Sequence, residues 1–430
     1  MMLSSNAAPG DMSLEAALLS VAERPRVWLA LSGGLDSVCL LQLTIAAHQR
    51  LQREGLRVPA LAAIHVNHQL QPAASEFEHF CHTLCDNVGV ALKVLHPQVT
   101  ESGQGLEAAA REARYQAFSE CVAANEVVWL AHHRNDQAET FLLRSLRGSG
   151  LTGLSAMPQQ RPLGKGILQR PLLSFHRADL EALACEQGWS WVEDPSNATL
   201  TFSRNYLRHR VIPALEKEWP HAVGSLAVCA EQLSEQRQLL EEYAAKDLAD
   251  IELTPGVLDQ AALLALSNVR AALVIRHALS QRSLATPPRA VMVQLLRQLA
   301  ARSDSVAEVK WADVVARIWR GRLYMERACE APDAGYWQRL LAQWQPCRKA
   351  GGAASLWCQP RQGGERLLVG QQHRRVKQLL QEADIPPWQR HWVGVVYCAE
   401  SDSEPVALLD EQWSRFADGW QAGGHQDASK

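Results

Sequence analysis

Short apolar runs alternate with longer segments of helical periodicity over the first half of the chain. Val27–Leu31, Ala60–Val66, Val90–Leu95 and Val127–Ala131 have the length and β-branched content of buried strands. Between them, Val38–Ala47, Glu76–Asn87 and Leu106–Ala124 carry apolar residues at helical spacing. Strand and helix in alternation predict a doubly wound α/β domain, a parallel sheet with helices on both faces. A last strand at Ile167–Leu173 and a helix at Arg177–Gln187 extend it. From Glu216 the pattern changes to long helices, Val223–Asp250, Leu258–Gln281 and Pro288–Arg302, punctuated by Thr254-Pro255-Gly256 and Thr286-Pro287-Pro288. Alternation at Val306–Trp319 and Leu323–Glu326 predicts a hairpin turning at Arg320-Gly321-Arg322. Cys347–Ala354 reads as a linker into a small α+β segment, with strands at Arg366–Gly370, Trp392–Cys398 and Val406–Leu409 and a helix ending at Ala383. The tail, Gln421–Lys430, reads as disordered. The expected division is an α/β domain over 1–215, a mainly helical domain over 216–346 and an α+β domain over 355–420.

The polar residues that interrupt this pattern fall where a parallel sheet puts chemistry, at the carboxyl ends of its strands. The first strand runs straight into Ser32-Gly33-Gly34-Leu35-Asp36-Ser37 and then a helix. Paired glycines let backbone approach a ligand closely, and a helix start presents free N–H groups and a positive dipole end. Two glycines alone would suit a ligand-free turn. The flanking serines, the internal aspartate and the preceding strand favour a phosphate, with Asp36 reaching it through Mg²⁺. The loop is neither GxGxxG nor a Walker loop. Strand two ends in His65-Val66-Asn67-His68, and strand four opens into His132-His133-Arg134-Asn135-Asp136-Gln137-Ala138-Glu139. Asp136 and Glu139, at i,i+3, could cap that helix, hold a metal or orient an amine, and His133 suits a phosphate or nucleobase. Zinc is disfavoured because no H-x-x-x-H and no cysteine partner accompany the histidines. Glu107, Arg111 and Arg114 share one helix face, which a solvated charged surface explains equally. Arg147–Ser155, rich in glycine, reads as a flexible loop or a plain connector. Arg204 and Arg208 share a face with Asn205 beside them, either a phosphate or substrate patch or a surface cluster.

Composition narrows the class. The chain has 430 residues, 47% hydrophobic and 21% charged, so two or three folded domains are expected. A net charge of −3 excludes a globally basic nucleic-acid binder and confines RNA contacts to local clusters. Arg374, Arg375 and Lys377 form the best of these, and Trp388 and Trp392 could stack on bases or sit in a core. The ten cysteines include no C-x-x-C pair, which argues against structural zinc and iron–sulfur centres. Cys81 and Cys85, at i,i+4, read as reduced thiols on one helix. No basic n-region opens the chain and no run of 18 apolar residues occurs, so a cytoplasmic protein with no membrane association is expected.

SGGLDS resembles the pyrophosphate loop of the ATP pyrophosphatases. Together with IHVNH, GLEAAAREARY, AHHRNDQAET, EDPSN and SRNYLRHRVIP it resembles the tRNA(Ile)-lysidine synthetase family of that PP-loop superfamily, in family order from Val27 to Pro213. HRRVKQLLQEADIPPWQR is similar to the basic helix and IPPW stretch of its three-domain members. The resemblance implies ATP, Mg²⁺, L-lysine and the isoleucine tRNA with a CAU anticodon, whose wobble cytidine becomes lysidine through an adenylated intermediate. It implies Ser32, Gly33, Gly34, Leu35, Asp36 and Ser37 as the ATP loop, with Mg²⁺ on Asp36. Arg111, His133 and Asp136 then fall around the α-phosphate and cytidine. Asp136, Glu139, Asp194, Asn205 and Arg208 become candidates for lysine or the reacting nucleotide, and Arg204, Arg374, Arg375 and Lys377 for tRNA. Asp136 is the expected proton acceptor for the amine. A homodimer stays open. Two departures stand out: Asn135 where an Asp is usual, and Gln69 where Gly is usual. The rivals are a tRNA thiolation enzyme, which would need paired cysteines, an amidotransferase-type synthetase, which would need a glutaminase domain, and a non-catalytic ATP- or tRNA-binding protein.

Overall fold

The computed structural model describes residues 14–69, 74–100, 106–194, 203–301, 307–328, 332–351, 354–400 and 404–423. The chain forms two compact units, 1–240 and 241–430. In the first, α1 (Leu14–Ser20) precedes β1 (Arg26–Ala30), α2 (Leu35–Arg53), β2 (Ala60–Val66), α3 (Ala74–Val88), β3 (Ala91–Leu95), α4 (Leu106–Cys121) and β4 (Val127–Trp129). Then come α5 (Arg134–Leu146), α6 (Leu151–Leu154), β5 (Gln160–Leu163), β6 (Gly166–Gln169) and α7 (Arg177–Glu186). The strands form one six-stranded sheet in the order β3-β2-β1-β4-β6-β5.

Both faces of this sheet are covered, which is why its strands are continuous apolar runs rather than alternating ones. Val27, Leu29 and Leu31 pack into one core with residues of α1, α2 and α7. Trp28 points the other way, into a second core with Ala62, Ile64, Phe118, Val128 and Leu168. The two buried tryptophan N–H groups are both satisfied: Trp28 Nε1 donates to Glu126 Oε2 at 2.8 Å and Trp129 Nε1 to Gln169 Oε1 at 2.8 Å. The expected parallel sheet holds for five strands, β1 pairing in parallel with β2 and with β4. β5 is the exception, an antiparallel edge strand on β6. Its sequence, Gln-Arg-Pro-Leu, is short and polar, and its proline is tolerated only because an edge strand leaves one side unpaired. Since β1 connects to β2 on one side and β4 lies on the other, the strand order reverses between β1 and β4, the position where doubly wound sheets bind ligands.

Of the two readings of the glycine-rich stretch 147–155, the connector is the one that fits. Residues 151–154 form α6, and Arg144 Nη1 pins the stretch by donating to Gly153 O at 2.8 Å and Ala156 O at 2.6 Å. The chain continues through α8 (Ser203–Tyr206), a π-helical turn over Leu207–Val211, α9 (Ile212–Glu218) and α10 (Ala222–Ile251), which contains the boundary between the units.

The second unit mixes helices with more strand than the pattern predicted. β7 (Glu252–Thr254), β8 (Val257–Asp259), α11 (Gln260–Ala265), α12 (Asn268–Gln281), α13 (Arg289–Ala300), β9 (Ala307–Trp311), β10 (Val314–Trp319) and β11 (Arg322–Arg327) build an antiparallel sheet of order β7-β8-β11-β10-β9. The helix expected over Leu258–Gln281 is broken because Asp259 and Ser267 act as N-caps, accepting from the N–H groups of Ala262 and Arg270. The expected turn at Arg320-Gly321 is present, with φ of 48° and 73° that a two-residue hairpin loop requires.

Next follow α14 (Ala334–Trp344), β12 (Pro346–Arg348), β13 (Leu356–Pro360), β14 (Arg366–Val369), β15 (Gln372–Arg375), α15 (Val376–Glu382), β16 (Gly394–Cys398), β17 (Pro405–Leu409), β18 (Ser414–Phe416) and β19 (Trp420–Ala422). At the edges of the expected linker and tail, β12 takes in Cys347 and Arg348 and β19 takes in Gln421 and Ala422, and the two strands pair antiparallel. Residues 424–430 lie outside the described residues. Of the two readings for Trp388 and Trp392, packing within the fold is the one their ring contacts match. Trp388 lies edge-on to Tyr324 at 5.1 Å and to Trp319 at 6.0 Å, and its Nε1 donates to Glu326 Oε2 at 3.0 Å. Trp392 meets Tyr336 edge-on at 5.1 Å. Asp384 receives Arg320 at 2.6 Å and Arg322 at 2.8 Å, so this contact joins β11 to the segment after α15. Among the described residues no helix is long and apolar enough to cross a membrane.

Candidate active site

The stretch after β1 is shaped by its glycines and serines. Gly33 adopts φ +88°, and a Cβ there would lie 2.9 Å from Val192 Cγ2, so only glycine fits. Gly33 O accepts from Val192 N–H at 3.0 Å, which seats the 191–194 segment, and with it Asp194, against the loop. Ser37 Oγ donates to Gly34 O at 2.9 Å and receives Ser32 N–H at 3.1 Å, closing the loop on itself. Gly34 is the N-cap of α2 and offers no side-chain cap; Ser37 N–H turns back to Gly34 O at 3.1 Å, and the N–H groups of Leu35 and Asp36 remain for an anion. His65 fixes the strand end behind it through Nδ1 and Leu31 O, 2.8 Å apart, and burial pushes this imidazole below its ordinary range. Asn67 Oδ1 accepts from Gln69 N–H at 2.8 Å, and Gln69 sits at φ 55°. That left-handed conformation is the one glycine adopts freely, which accounts for Gly being usual here; Gln69 takes it with the Asn67 side chain holding its N–H.

Across the strand-order reversal, His133 caps α5. Its Nδ1 accepts from Asp136 N–H at 3.3 Å while Asp136 Oδ2 accepts from His133 N–H at 3.1 Å, a reciprocal capping box. Accepting at Nδ1 leaves the imidazole proton on Nε2. That atom lies 3.6 Å from Asp36 Oδ2 and 3.5 Å from Asp136 Oδ2, beyond good hydrogen-bond geometry to either. Both His133 Nε2 and Asp36 Oδ1 are buried without a hydrogen-bond partner. Arg177 Nε stands 3.9 Å from Asp36 Oδ1. Two unsatisfied polar atoms of opposite character at the mouth of an anion loop are the signature of a ligand-binding centre. Asn135 Oδ1 accepts Arg177 N–H at 3.1 Å, anchoring the start of α7; an amide oxygen does this as well as a carboxylate.

Asp136 and Glu139 face Arg204 and Arg208. Arg204 Nε and Arg208 Nε each reach a Glu139 oxygen at 2.6 Å, and their Nη2 atoms reach Asp136 Oδ1 at 2.7 and 3.0 Å. Burial raises Asp136, yet His133, Arg204, His132 and Arg208 outweigh it and hold the carboxyl down at about 2. Both Asp136 oxygens are engaged, Oδ1 by the two guanidinium groups and Oδ2 by His133 N–H. Arg204 is paired with Asp136 and Glu139, as Arg208 is. Arg111 Nη2 lies 3.3 Å from the Tyr115 hydroxyl. In the second unit, Arg374 pairs with Glu382, whereas Arg375 and Lys377 are exposed on either side of buried Val376. Of EDPSN, residues 195–197 lie outside the described residues.

His132 accepts from Arg170 Nε at 3.2 Å through Nδ1, and burial, reinforced by Arg170, Arg204 and Arg114 against the pull of Asp136, pushes it down to about 3. Because His132 in the folded protein is held below the ordinary histidine range near 6.5, the unfolded chain takes the proton first. His132 therefore contributes stability that is fully present above about pH 6.5 and lost as pH falls toward about 3. In a proton NMR titration its imidazole is expected to stay neutral down to about pH 4. His132→Asn, whose side-chain oxygen can still accept from Arg170, is expected to remove that part of the acid sensitivity.

The strand-order reversal, the glycine loop and the facing histidine define an ATP pyrophosphatase of the PP-loop class, and residues 11–215 match the family model described as PP-loop domain. Residues 258–324 match the TilS substrate binding domain and residues 356–412 the TilS substrate C-terminal domain. The tRNA(Ile)-lysidine synthase of Xanthomonas campestris pv. campestris (strain 8004) is 38% identical over 427 residues, covering 94% of this chain and 96% of its own. That of Pseudomonas putida is 40% identical over 405 residues, covering 87% and 91%, and that of Salmonella typhi 34% identical over 414 residues, covering 91% and 93%. The chain belongs to the tRNA(Ile)-lysidine synthase family.

Proposed function

We infer that this protein is a ligase that uses ATP to join lysine to the wobble cytidine of tRNA(Ile), releasing AMP and pyrophosphate. The observation that carries the reading is the PP-loop facing His133 across the strand-order reversal, in a chain of which 94% aligns with a lysidine synthase. Cytosine O2 attacks the α-phosphate and pyrophosphate leaves; the lysine ε-amine then displaces AMP from C2. Charge develops chiefly on phosphate oxygens, so preorganised donors supply most of the catalysis.

We propose that the loop of Ser32, Gly33, Gly34, Leu35, Asp36 and Ser37 holds the pyrophosphate portion of ATP, and that His133 donates from Nε2 to the reacting phosphate. Asp36 fits Mg²⁺: its Oδ1 lacks a hydrogen-bond partner, and among the described residues no three ligating side chains converge, so phosphate oxygens and water would complete the shell. When bound, the ion would offset charge on the leaving pyrophosphate. Asp136 and Glu139 position Arg204 and Arg208, and Asp194, Asn205 and Arg208 remain candidates for lysine or the cytidine. Segments 216–346 and 355–420 are proposed as tRNA-binding domains, with Arg375 and Lys377 on the RNA backbone.

The thiolation rival lacks the paired cysteines its chemistry would use, since the ten cysteines include no C-x-x-C. Burial also pushes Cys39 and Cys81 up to about 12 and Cys85 to about 11.

The reading is tested with labelled L-lysine and two CAU-anticodon transcripts, isoleucine tRNA and elongator methionine tRNA, with and without ATP. ATP-dependent labelling of the isoleucine tRNA alone is expected. Pyrophosphate release with no labelling of either would overturn the choice of nucleophile.

A further inference from the structure

Beside the active site, four arginines line one open cleft of about 780 Å³ with Tyr115 among them. They come from four separate places: Arg111 on α4, Arg144 on α5, Arg161 on β5 and Arg170 just after β6. Among the described residues none of the four pairs with a carboxylate. Arg144 and Arg170 instead donate to backbone carbonyls, Arg170 Nη1 to Pro158 O at 2.5 Å. Arg111 and Arg161 lie over the Tyr115 ring at 5.0 and 4.7 Å, so the phenol acts as a platform that spaces two guanidinium groups. Glu112 is the acidic residue of the lining. Burial works to raise the Tyr115 hydroxyl, yet Arg111, Arg170, Arg114 and Arg161 pull it down, a local sign of unmatched positive charge. In a chain of net charge −3, holding four cations together with one carboxylate, Glu112, in the lining is costly unless an anion arrives. The cleft connects to the reaction centre directly, since Arg170 holds His132, the neighbour of His133.

We propose that this cleft carries the sugar–phosphate backbone of the tRNA strand flanking the wobble nucleotide, the base itself entering the site at His133. The inference rests on the reading that tRNA is the substrate. An open channel with cations along its length suits a strand passing through, where a small anion would need an enclosed cage. Phosphates spaced along the strand meet the successive guanidiniums as bidentate or single charge-assisted contacts. Positioning the flanking backbone would orient the cytidine without reading its sequence, leaving discrimination among CAU tRNAs to other surfaces.

Arg161 is the best probe, because it lies outside the residues assigned to ATP and its only described hydrogen bond is to Pro162 O at 3.3 Å. In the full-length protein, Arg161→Gln is expected to raise KM for tRNA(Ile) about five- to tenfold and to lower the slope of log Kd against log salt by about one. The same variant is expected to keep KM for ATP and for lysine, and kcat at saturating tRNA, within about twofold of the parent. Arg161→Lys should restore the salt slope, which a merely structural role would not require, and a thermal melt checks that both variants fold. An anticodon stem-loop transcript should show the same loss. An unchanged slope and tRNA KM in Arg161→Gln would overturn the proposal, as would a raised KM for ATP with tRNA affinity intact. Absence of lysine incorporation by the unaltered protein would overturn the substrate reading instead. A salt slope lost in Arg161→Gln would even then support an RNA backbone in the cleft.

Discussion

Asp36→Asn is expected to lower lysidine formation by about two to three orders of magnitude while leaving tRNA affinity unchanged. The argument begins with an apparent contradiction, a carboxylate placed in the first turn of α2 where a triphosphate is to bind. A negative side chain at a helix start gains only about 0.3–1 kcal/mol from the dipole, too little to justify repulsion from a polyanion. Its Oδ1 finds no hydrogen-bond partner and its Oδ2 stands 3.6 Å from His133 Nε2, so the group is not serving the fold. A cation between carboxylate and phosphate resolves the conflict, and asparagine keeps the shape while removing the charge that would hold it. Losing one such preorganised charge contact costs about 10²–10³ in rate. Folding should hardly change. Rapid-quench measurement of pyrophosphate release across a magnesium series, with a melt as control, checks it. A variant retaining more than about a tenth of the parental rate would remove Asp36 from the phosphate chemistry.

What was legible in the sequence follows from how local each feature is. β1 and the loop after it are contiguous, and an apolar run feeding two cores reads as a buried strand whatever its partners. β5 was missed because four residues including a proline carry no periodicity. Asp259 and Ser267 hid inside an apolar helical pattern because a cap is one side chain, which a window average smooths away. Within the site, the i,i+3 pair of carboxylates and the i,i+4 pair of arginines were each visible on their own helices. That they face each other across some 65 residues is a property of packing. The arginine cleft was less legible still. Arg111 was noticed, but for a different partner, and Arg144, Arg161 and Arg170 carry no spacing that links them. Unmatched charge is recognisable only once the surroundings of each guanidinium are known.

The facing pairs lead to the second large effect. Glu139→Ala is expected to destabilise the first unit by about 3–5 kcal/mol, the range for removing one partner of a buried ion pair. Glu139 is 1% exposed and both its oxygens are used, at 2.6 Å to Arg204, and at 2.6 and 3.1 Å to Arg208. Without it, two guanidinium groups share Asp136 Oδ1. Because the arginine side chains are 25% and 30% exposed, some relaxation toward solvent places the loss near the lower figure. Glu139→Gln keeps the volume and one acceptor and should lose less. Combining it with Arg208→Met should cost less than the sum of the two changes, since each removes the other's partner. The same arithmetic bears on lysine. Two carboxylates and two guanidiniums sum to zero charge, so the cluster has no surplus to hold an ammonium, and the amine would have to displace an arginine to reach Glu139. In Glu139→Gln, kcat should therefore fall with KM for lysine within about twofold, because Arg204 and Arg208 lose their positions rather than lysine its contact. A tenfold rise in KM for lysine at unchanged stability would reverse the assignment and make Glu139 the substrate's own counter-charge.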